Sequence, residues 1–216
     1  MNSNHPILLM TACINPNGMS NTACQNKNIR EVQYLEALNF YLSNTKFNIL
    51  FVENSGIDIS GRYHEVIKKG RLEVITFDGN HYDRKLGKGF GEGLIIKQAF
   101  EKSDLLKTSK VVIKVSGRHI VKNINLIWKS IQFIKTGVGE FCSCDLNPRS
   151  KSALSDIFVS SIDFYNNVLL KLLSLIDESQ GIWFEHVLYK SVQKYVELGG
   201  EILLSTNLSK SNCSKW

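Results

Sequence analysis

Apolar residues in this chain fall in short runs, and the spacing within the runs changes in a regular order. Residues 7–11 are a continuous apolar run of strand length (Ile7, Leu8, Leu9, Met10). Residues 13–28 are rich in Asn, Gly, Ser and Pro and predict a loop. Residues 30–43 place Leu35, Leu38 and Leu42 on one helical face. A second strand is predicted over 47–52, ending in Glu53-Asn54-Ser55-Gly56, then a short helix over 63–69 and a third strand over 72–77. A glycine-bearing stretch from Asp78 to Gly93 leads into a helix that ends near Lys102. Residues 110–115 make a fourth apolar strand, which stops at Ser116-Gly117-Arg118-His119. Beyond it the pattern predicts a helix over 124–134 and strands over 140–146 and 157–160. Residues 162–178 carry Tyr165, Leu169, Leu172, Leu173 and Ile176 at helical spacing, and Gly181 breaks that pattern. A last helix over 183–198, an edge strand over 202–204 and a frayed polar tail complete the chain.

Strand and helix alternate through residue 135. That order predicts an α/β fold with a mostly parallel sheet and helices on both faces. Residues 1–205 are expected to form one domain and 206–216 a C-terminal tail. In such folds ligands sit outside the carboxyl ends of the strands. Thr11, Glu53, Asp78 and Ser116-Gly117-Arg118 all fall there.

The stretch between the third strand and its helix narrows the ligand class. Glycines let a backbone approach closely, and a helix N-terminus offers unpaired N–H groups and partial positive charge. With Lys88 among Gly87, Gly89, Gly91 and Gly93, the segment predicts a turn that holds a phosphorylated ligand. Lys88 is followed by Gly89 rather than Ser or Thr, so it is not a Walker A loop, and the alternating glycines do not match G-x-G-x-x-G. The bland alternative is a charged, flexible βα connection.

Composition adds a sign. Lys plus Arg number 26 against 20 Asp plus Glu, a formal net charge of +6. That surplus suits a nucleotide, a phosphorylated substrate or an anionic membrane surface. The basic residues are dispersed without interleaved aromatics, which argues against nucleic acid. Residues 1–6 lack the basic and apolar regions of a signal peptide, and no apolar run reaches the ~18–20 residues that span a bilayer. A cytoplasmic protein is expected, with reduced thiols at its five cysteines. Cys142-Ser-Cys144 is a C-x-C pair, and the cysteine spacing does not suit structural zinc.

Taken together, these residues resemble GT-A-type glycosyltransferases. More closely, they resemble the small transferases encoded in bacterial capsule and O-antigen clusters, over roughly residues 7 to 190. The resemblance implies that Thr11-Ala12 lies near the base of a nucleotide-sugar donor and that Glu53 accepts a hydrogen bond from it. It places Gly87, Lys88 and Gly89 near diphosphate or ribose. Gly181-Ile182-Trp183-Phe184-Glu185-His186 looks like the acidic motif that supplies the general base, with Glu185 in that role and Asp145 and Asp156 in reserve. The family's Asp-x-Asp metal motif has no counterpart: the matching segment, Lys114-Val115-Ser116-Gly117-Arg118-His119, holds two fixed cations and no carboxylate. Arg118, Lys114 and Lys88 could neutralise the leaving group instead, which predicts a metal-independent transferase. Asp145 keeps Mg²⁺ or Mn²⁺ open as the alternative.

Other assignments stay double at this point. Arg30 opens a helix, where a cation is mildly unfavourable, so it is either exposed or serves an anion. Glu185 is either a base or a helix-start glutamate. Trp183 is core or a platform for the acceptor sugar, with His186 beside it. The expected acceptor is a lipid-linked glycan, met by peripheral contact with the inner membrane. Two further classes compete. A sugar nucleotidyltransferase needs a glycine-rich loop after its first strand, and residues 13–28 have only Gly18 and no basic residue before Lys27. A binding module would use the same crevice without a base.

Overall fold

Four strands, β1 (Ile7–Ala12), β2 (Asn48–Glu53), β3 (Leu72–Thr76) and β4 (Val111–Ser116), lie parallel in the order β3-β2-β1-β4. The computed structural model describes residues 5–134, 140–203 and 213–214. A two-strand ribbon pairs β5 (Ile120–Val121) with β11 (Cys213–Ser214). The sheet continues beyond β4 through β9 (Ile157–Ser161), β6 (Phe141–Ser143) and β10 (Glu201–Ile202) to seven strands. β9 runs antiparallel to both β4 and β6. The sheet is therefore mostly parallel, as the alternation predicts, with one reversed strand inside it.

Strand parity divides the core. Leu8, Met10, Phe51, Ile113 and Val159 face one layer, built on α1 (Lys27–Asn44), α2 (His64–Lys68) and α5 (Ile124–Ile134). Ile7, Leu9, Leu50, Val112 and Phe158 face the other, built on α3 (Gly87–Lys102), α4 (Asp104–Thr108) and α8 (Phe184–Glu197). Successive strand side chains point to opposite faces, so a strand buried on both reads as an unbroken apolar run.

Several boundaries differ from the sequence reading. α1 begins at Lys27 because the Asn26 side chain accepts the Asn28 and Ile29 N–H groups at 2.9 and 3.3 Å, an N-cap that apolar periodicity does not show. The strand expected over 140–146 splits into β6 and a separate hairpin of β7 (Leu146–Asn147) and β8 (Ser152–Ala153). The helix expected over 162–178 runs from α6 (Ile162–Phe164) through a π turn (Tyr165–Leu169) to α7 (Leu170–Leu172) and a 3-10 turn (Leu173–Leu175). Of the predicted tail, residues 206–212 and 215–216 lie outside the described residues.

The largest correction concerns the glycines. Gly87, Gly89, Gly91 and Gly93 are the buried first turns of α3 and not an open turn. A side chain at Gly89 would meet Phe184 at 3.1 Å, and one at Gly91 the Tyr82 hydroxyl at 2.5 Å. The missing side chains let α8 and Tyr82 close on the helix. The Gly89 N–H donates to Glu178 Oε1 at 2.7 Å, so the N-terminus of α3 is capped by the chain's own carboxylate. Among the described residues, no helix is long and apolar enough to cross a membrane.

Candidate active site

A cavity of about 320 Å³ opens where β1 and β4 end and where the chain leaves β2. Thr11, Ala12 and Cys13 line it from β1, Asn54 from β2, and Ser116 to His119 from β4. α3 supplies Lys88 and Glu92, and α8 supplies Glu185. The reversal of β9 brings one more wall. Because Val115 pairs with Ile157, the residues entering β9, Ser155 and Asp156, arrive at the same edge at which the parallel strands end.

Arg30 is 5% exposed and holds the loop after β1 in place. Its Nε and Nη2 donate to Cys13 O at 2.8 and 2.6 Å, and Nη1 donates to Cys24 O at 3.3 Å. Nη2 also reaches the Tyr34 hydroxyl at 3.1 Å, and the guanidinium lies 5.6 Å from the Tyr34 ring centre. Arg30 is therefore not exposed, and its hydrogen bonds go to two backbone carbonyls and a phenol of the chain itself. Gly117 permits a second close approach: its N–H donates to Thr11 O at 2.9 Å, and a side chain there would meet that oxygen at 2.6 Å. Arg118 follows on the cavity wall, its Nη1 donating to the neutral Gln33 Oε1 at 3.2 Å. No ion pair among the described residues involves Arg30, Arg118 or Lys88.

The carboxylates are arranged differently. Glu185 Oε1 accepts the Ser155 hydroxyl at 2.7 Å. His119 Nδ1 is 3.6 Å from Asp156 Oδ1, whose backbone carbonyl accepts the Ser116 N–H at 2.8 Å. Glu92 pairs with Lys114 and accepts the Thr11 hydroxyl at 3.1 Å. The sequence reading missed Glu92, because a turn hides what a helix shows. Lys88 and Glu92 are four residues apart, hence on one face of α3.

Not every expected residue reaches the cavity. Lys114 was expected to meet phosphate. It is fully buried beneath the site, paired with Glu92, and donates to Ser155 O at 2.6 Å. Glu53 was expected to meet the base. Its carboxylate accepts N–H groups of Ile14, Ser55 and Ile57 at 2.8, 2.9 and 2.9 Å, and the Ser55 hydroxyl as well. Burial pushes the Glu53 carboxyl above its ordinary pKa, against the pull of those donors. Gly87 and Gly89 lie outside the cavity wall, held against Glu178. Trp183 and His186 line neither this cavity nor its neighbour; His186 Nδ1 lies 3.3 Å from the Trp183 N at the start of α8. Asp145 lines a second cavity of about 590 Å³ along the β7–β8 hairpin, and Glu185 lines both.

Among the described residues, no group of three or more His, Cys, Asp and Glu side chains is placed to hold a metal ion. The segment after β4 offers Ser116, Arg118 and His119, a poor donor set for Mg²⁺ or Mn²⁺, which take oxygen ligands. Burial raises the Cys13 thiol to about 11 and the Tyr82 phenol to about 12. Thiol alkylation proceeds through the thiolate. Cys13 modification by iodoacetamide, followed by mass spectrometry, should therefore rise about tenfold per pH unit between about pH 7 and 10. A rate that levels off near pH 8 would mean an ordinary, solvated thiol.

No sequence family and no curated protein matches the chain. Solved structures do. A glycosyltransferase involved in the glycosylation of the major capsid of PBCV-1 aligns with TM-score 0.52 and 13% identity, covering 94% of this chain and 82% of that one. The bifunctional glycosyltransferase WbbM aligns with TM-score 0.51 and 10% identity; the match covers 94% of this chain but 39% of that one. A cytidylyltransferase from Leptospira borgpetersenii aligns at TM-score 0.45 and 13% identity over 94% of this chain and 77% of that one. At such identities the likeness shows the fold alone. That fold is α/β and GT-A-like, shared with the two glycosyltransferases.

Proposed function

We propose that this chain is a glycosyltransferase that moves a sugar from a nucleotide-sugar donor to an acceptor hydroxyl without a metal ion. One observation carries the reading. Arg30, Arg118 and Lys88 line a single cavity with no carboxylate of the described residues in ion-pair range, and that cavity also holds Glu185. Uncompensated cations suit a diphosphate, and a carboxylate in the same space suits proton removal.

In the proposed reaction Glu185 takes the proton of the acceptor hydroxyl as its oxygen attacks the anomeric carbon. The bond from that carbon to the phosphate oxygen breaks, and the nucleoside diphosphate leaves with the electron pair. Arg118 and Lys88 stabilise the negative charge that develops there, and Arg30 adds fixed positive potential. Ser155 occupies Glu185 Oε1, which leaves Oε2 for the acceptor. The acceptor enters through the second cavity, where Asp145, Asn147 and Ser152 offer partners to sugar hydroxyls. A lipid-linked glycan at a membrane surface is the acceptor we propose, consistent with the net charge of +6.

A thermal-shift panel of UDP, GDP, CMP and dTDP, each with EDTA or Mn²⁺, tests the donor side. A ligand at ~100 times its Kd stabilises by about 2.7 kcal/mol. One nucleotide should stabilise the protein equally in EDTA, and Arg118→Ala should lose most of that shift. Stabilisation only with Mn²⁺ would overturn the metal-independent mechanism. No response to any nucleotide would overturn the donor itself.

A further inference from the structure

Ser155 lies where the two cavities meet: it is 6% exposed in the wall of the first, and Glu185, its partner, lines both. Its backbone is held on either side and at its own carbonyl. The Leu154 N–H before it donates to Asp145 O at 2.8 Å, and the Asp156 carbonyl after it accepts the Ser116 N–H at 2.8 Å. The Ser155 carbonyl accepts Lys114 Nζ at 2.6 Å. Lys114 is fixed in turn by burial and by Glu92, which also accepts the Thr11 hydroxyl at 3.1 Å. A chain of polar groups from β1, α3 and β4 thus ends on one backbone oxygen.

A serine hydroxyl has a single proton to give, and this one goes to Glu185 Oε1 at 2.7 Å. That bond is not what holds α8 near the β7–β8 hairpin, because Ala153, Val187 and Leu188 share one core layer. What it fixes is a carboxylate. A glutamate side chain has several rotatable bonds, and Glu185 is only half-buried, so packing does not by itself choose its rotamer. A donor anchored through a buried ammonium does. With Oε1 held, Oε2 is the oxygen left to take a proton.

We propose that Ser155 is a positioning residue for Glu185: its hydroxyl holds one carboxylate oxygen so that the other meets the acceptor hydroxyl, and Lys114 keeps the serine in place. The inference rests on the reading of Glu185 as the base, and its test separates the two. Ser155→Ala removes the hydroxyl and keeps the backbone carbonyl that Lys114 holds. In crystals of the wild type Glu185 should occupy one rotamer, and in crystals of Ser155→Ala it should spread over several. A single, unchanged rotamer in the variant overturns the inference. Turnover is read as release of nucleoside diphosphate from the nucleotide sugar of the nucleotide that stabilises the wild type, with water in place of the acceptor. Ser155→Ala should lower kcat by about tenfold to a hundredfold. The calorimetric Kd of the nucleoside diphosphate should stay within about twofold, which also shows that the variant is folded. In a Glu185→Gln background the same substitution should cost less than about twofold, because groups that act as a unit are not additive. An equal loss in both backgrounds, no loss in either, or a Kd weakened as much as kcat overturns the role of Ser155 and leaves Glu185 as the base. A Glu185→Gln variant that keeps wild-type turnover overturns the base together with this inference.

Discussion

Glu185→Gln should lower turnover by about a hundredfold to ten-thousandfold while nucleotide affinity stays unchanged. Gln keeps the size of the side chain and can still accept the Ser155 hydroxyl through Oε1. It cannot take a proton. In the proposed reaction Arg118 and Lys88 hold the nucleotide, and both line the cavity apart from the substituted side chain. The measurement is nucleoside diphosphate release in the presence of acceptor, beside calorimetric Kd values for both proteins. Retained turnover would move the base to Asp156, which lines the same cavity, or to Asp145 in the second one. A loss of affinity as large as the loss of rate would make Glu185 a structural residue of the cavity wall. A binding module would lose nothing, so the same variant separates the enzyme from that alternative.

Lys114→Met should lower stability by about 2–4 kcal/mol, or about 5–15 °C in Tm for a domain of this size. Lys114 lies in β4 with its side chain fully buried, 5.9 Å from the Phe158 ring and 5.7 Å from that of Phe184. Its ammonium is the partner of Glu92 and a donor to Ser155 O. Removing it strands a carboxylate and leaves a backbone carbonyl without that donor. The Glu92 side chain keeps 23% of its exposure, so water offsets part of the loss and the figure sits below that for a wholly buried pair. The double variant Lys114→Met, Glu92→Gln should recover part of the stability, because it removes both charges together. Urea unfolding of the two single variants and the double decides this. A cost under about 1 kcal/mol for Lys114→Met would show that the pair contributes little to stability.

The parallel half of the sheet is legible because β1, β2 and β4 are buried on both faces. Ile7 and Leu9 pack against one layer and Leu8 and Met10 against the other, so the run carries no polar interruption. Thr11, Gly117 and Arg118 follow from the same logic, as strand ends in a parallel sheet, and the family resemblance adds Ala12. Direction was not legible. Residues 157–161 look like any short apolar strand, and only their pairing with β4 and β6 reverses them. That reversal makes Ser155 and Asp156 cavity residues.

Other errors came from reading charge without parity. Lys114 shares a face with Val112, toward α3 and α8, and so points into a core layer and not at a ligand. Glu53 reads as a ligand-facing acid at a strand end, and its partners are instead the chain's own N–H groups. A buried carboxylate takes whatever donors the chain supplies, and three backbone N–H groups were nearer than any ligand. The alternating glycines were read as backbone freedom, whereas the helix uses them as gaps for Phe184 and Tyr82.

The Glu178 carboxylate at the start of α3 makes the chain its own competitor. Held on the turn Glu178–Gln180, it faces the Gly89 N–H at a local concentration that no dissolved phosphate reaches. An incoming anion would have to evict a tethered rival to use those amides. In the proposed site, recognition of phosphate falls to separately encoded side chains, and those can be exchanged one at a time without rebuilding the backbone. A site gripped by helix amides has no such freedom, because its donors belong to every sequence that folds that way.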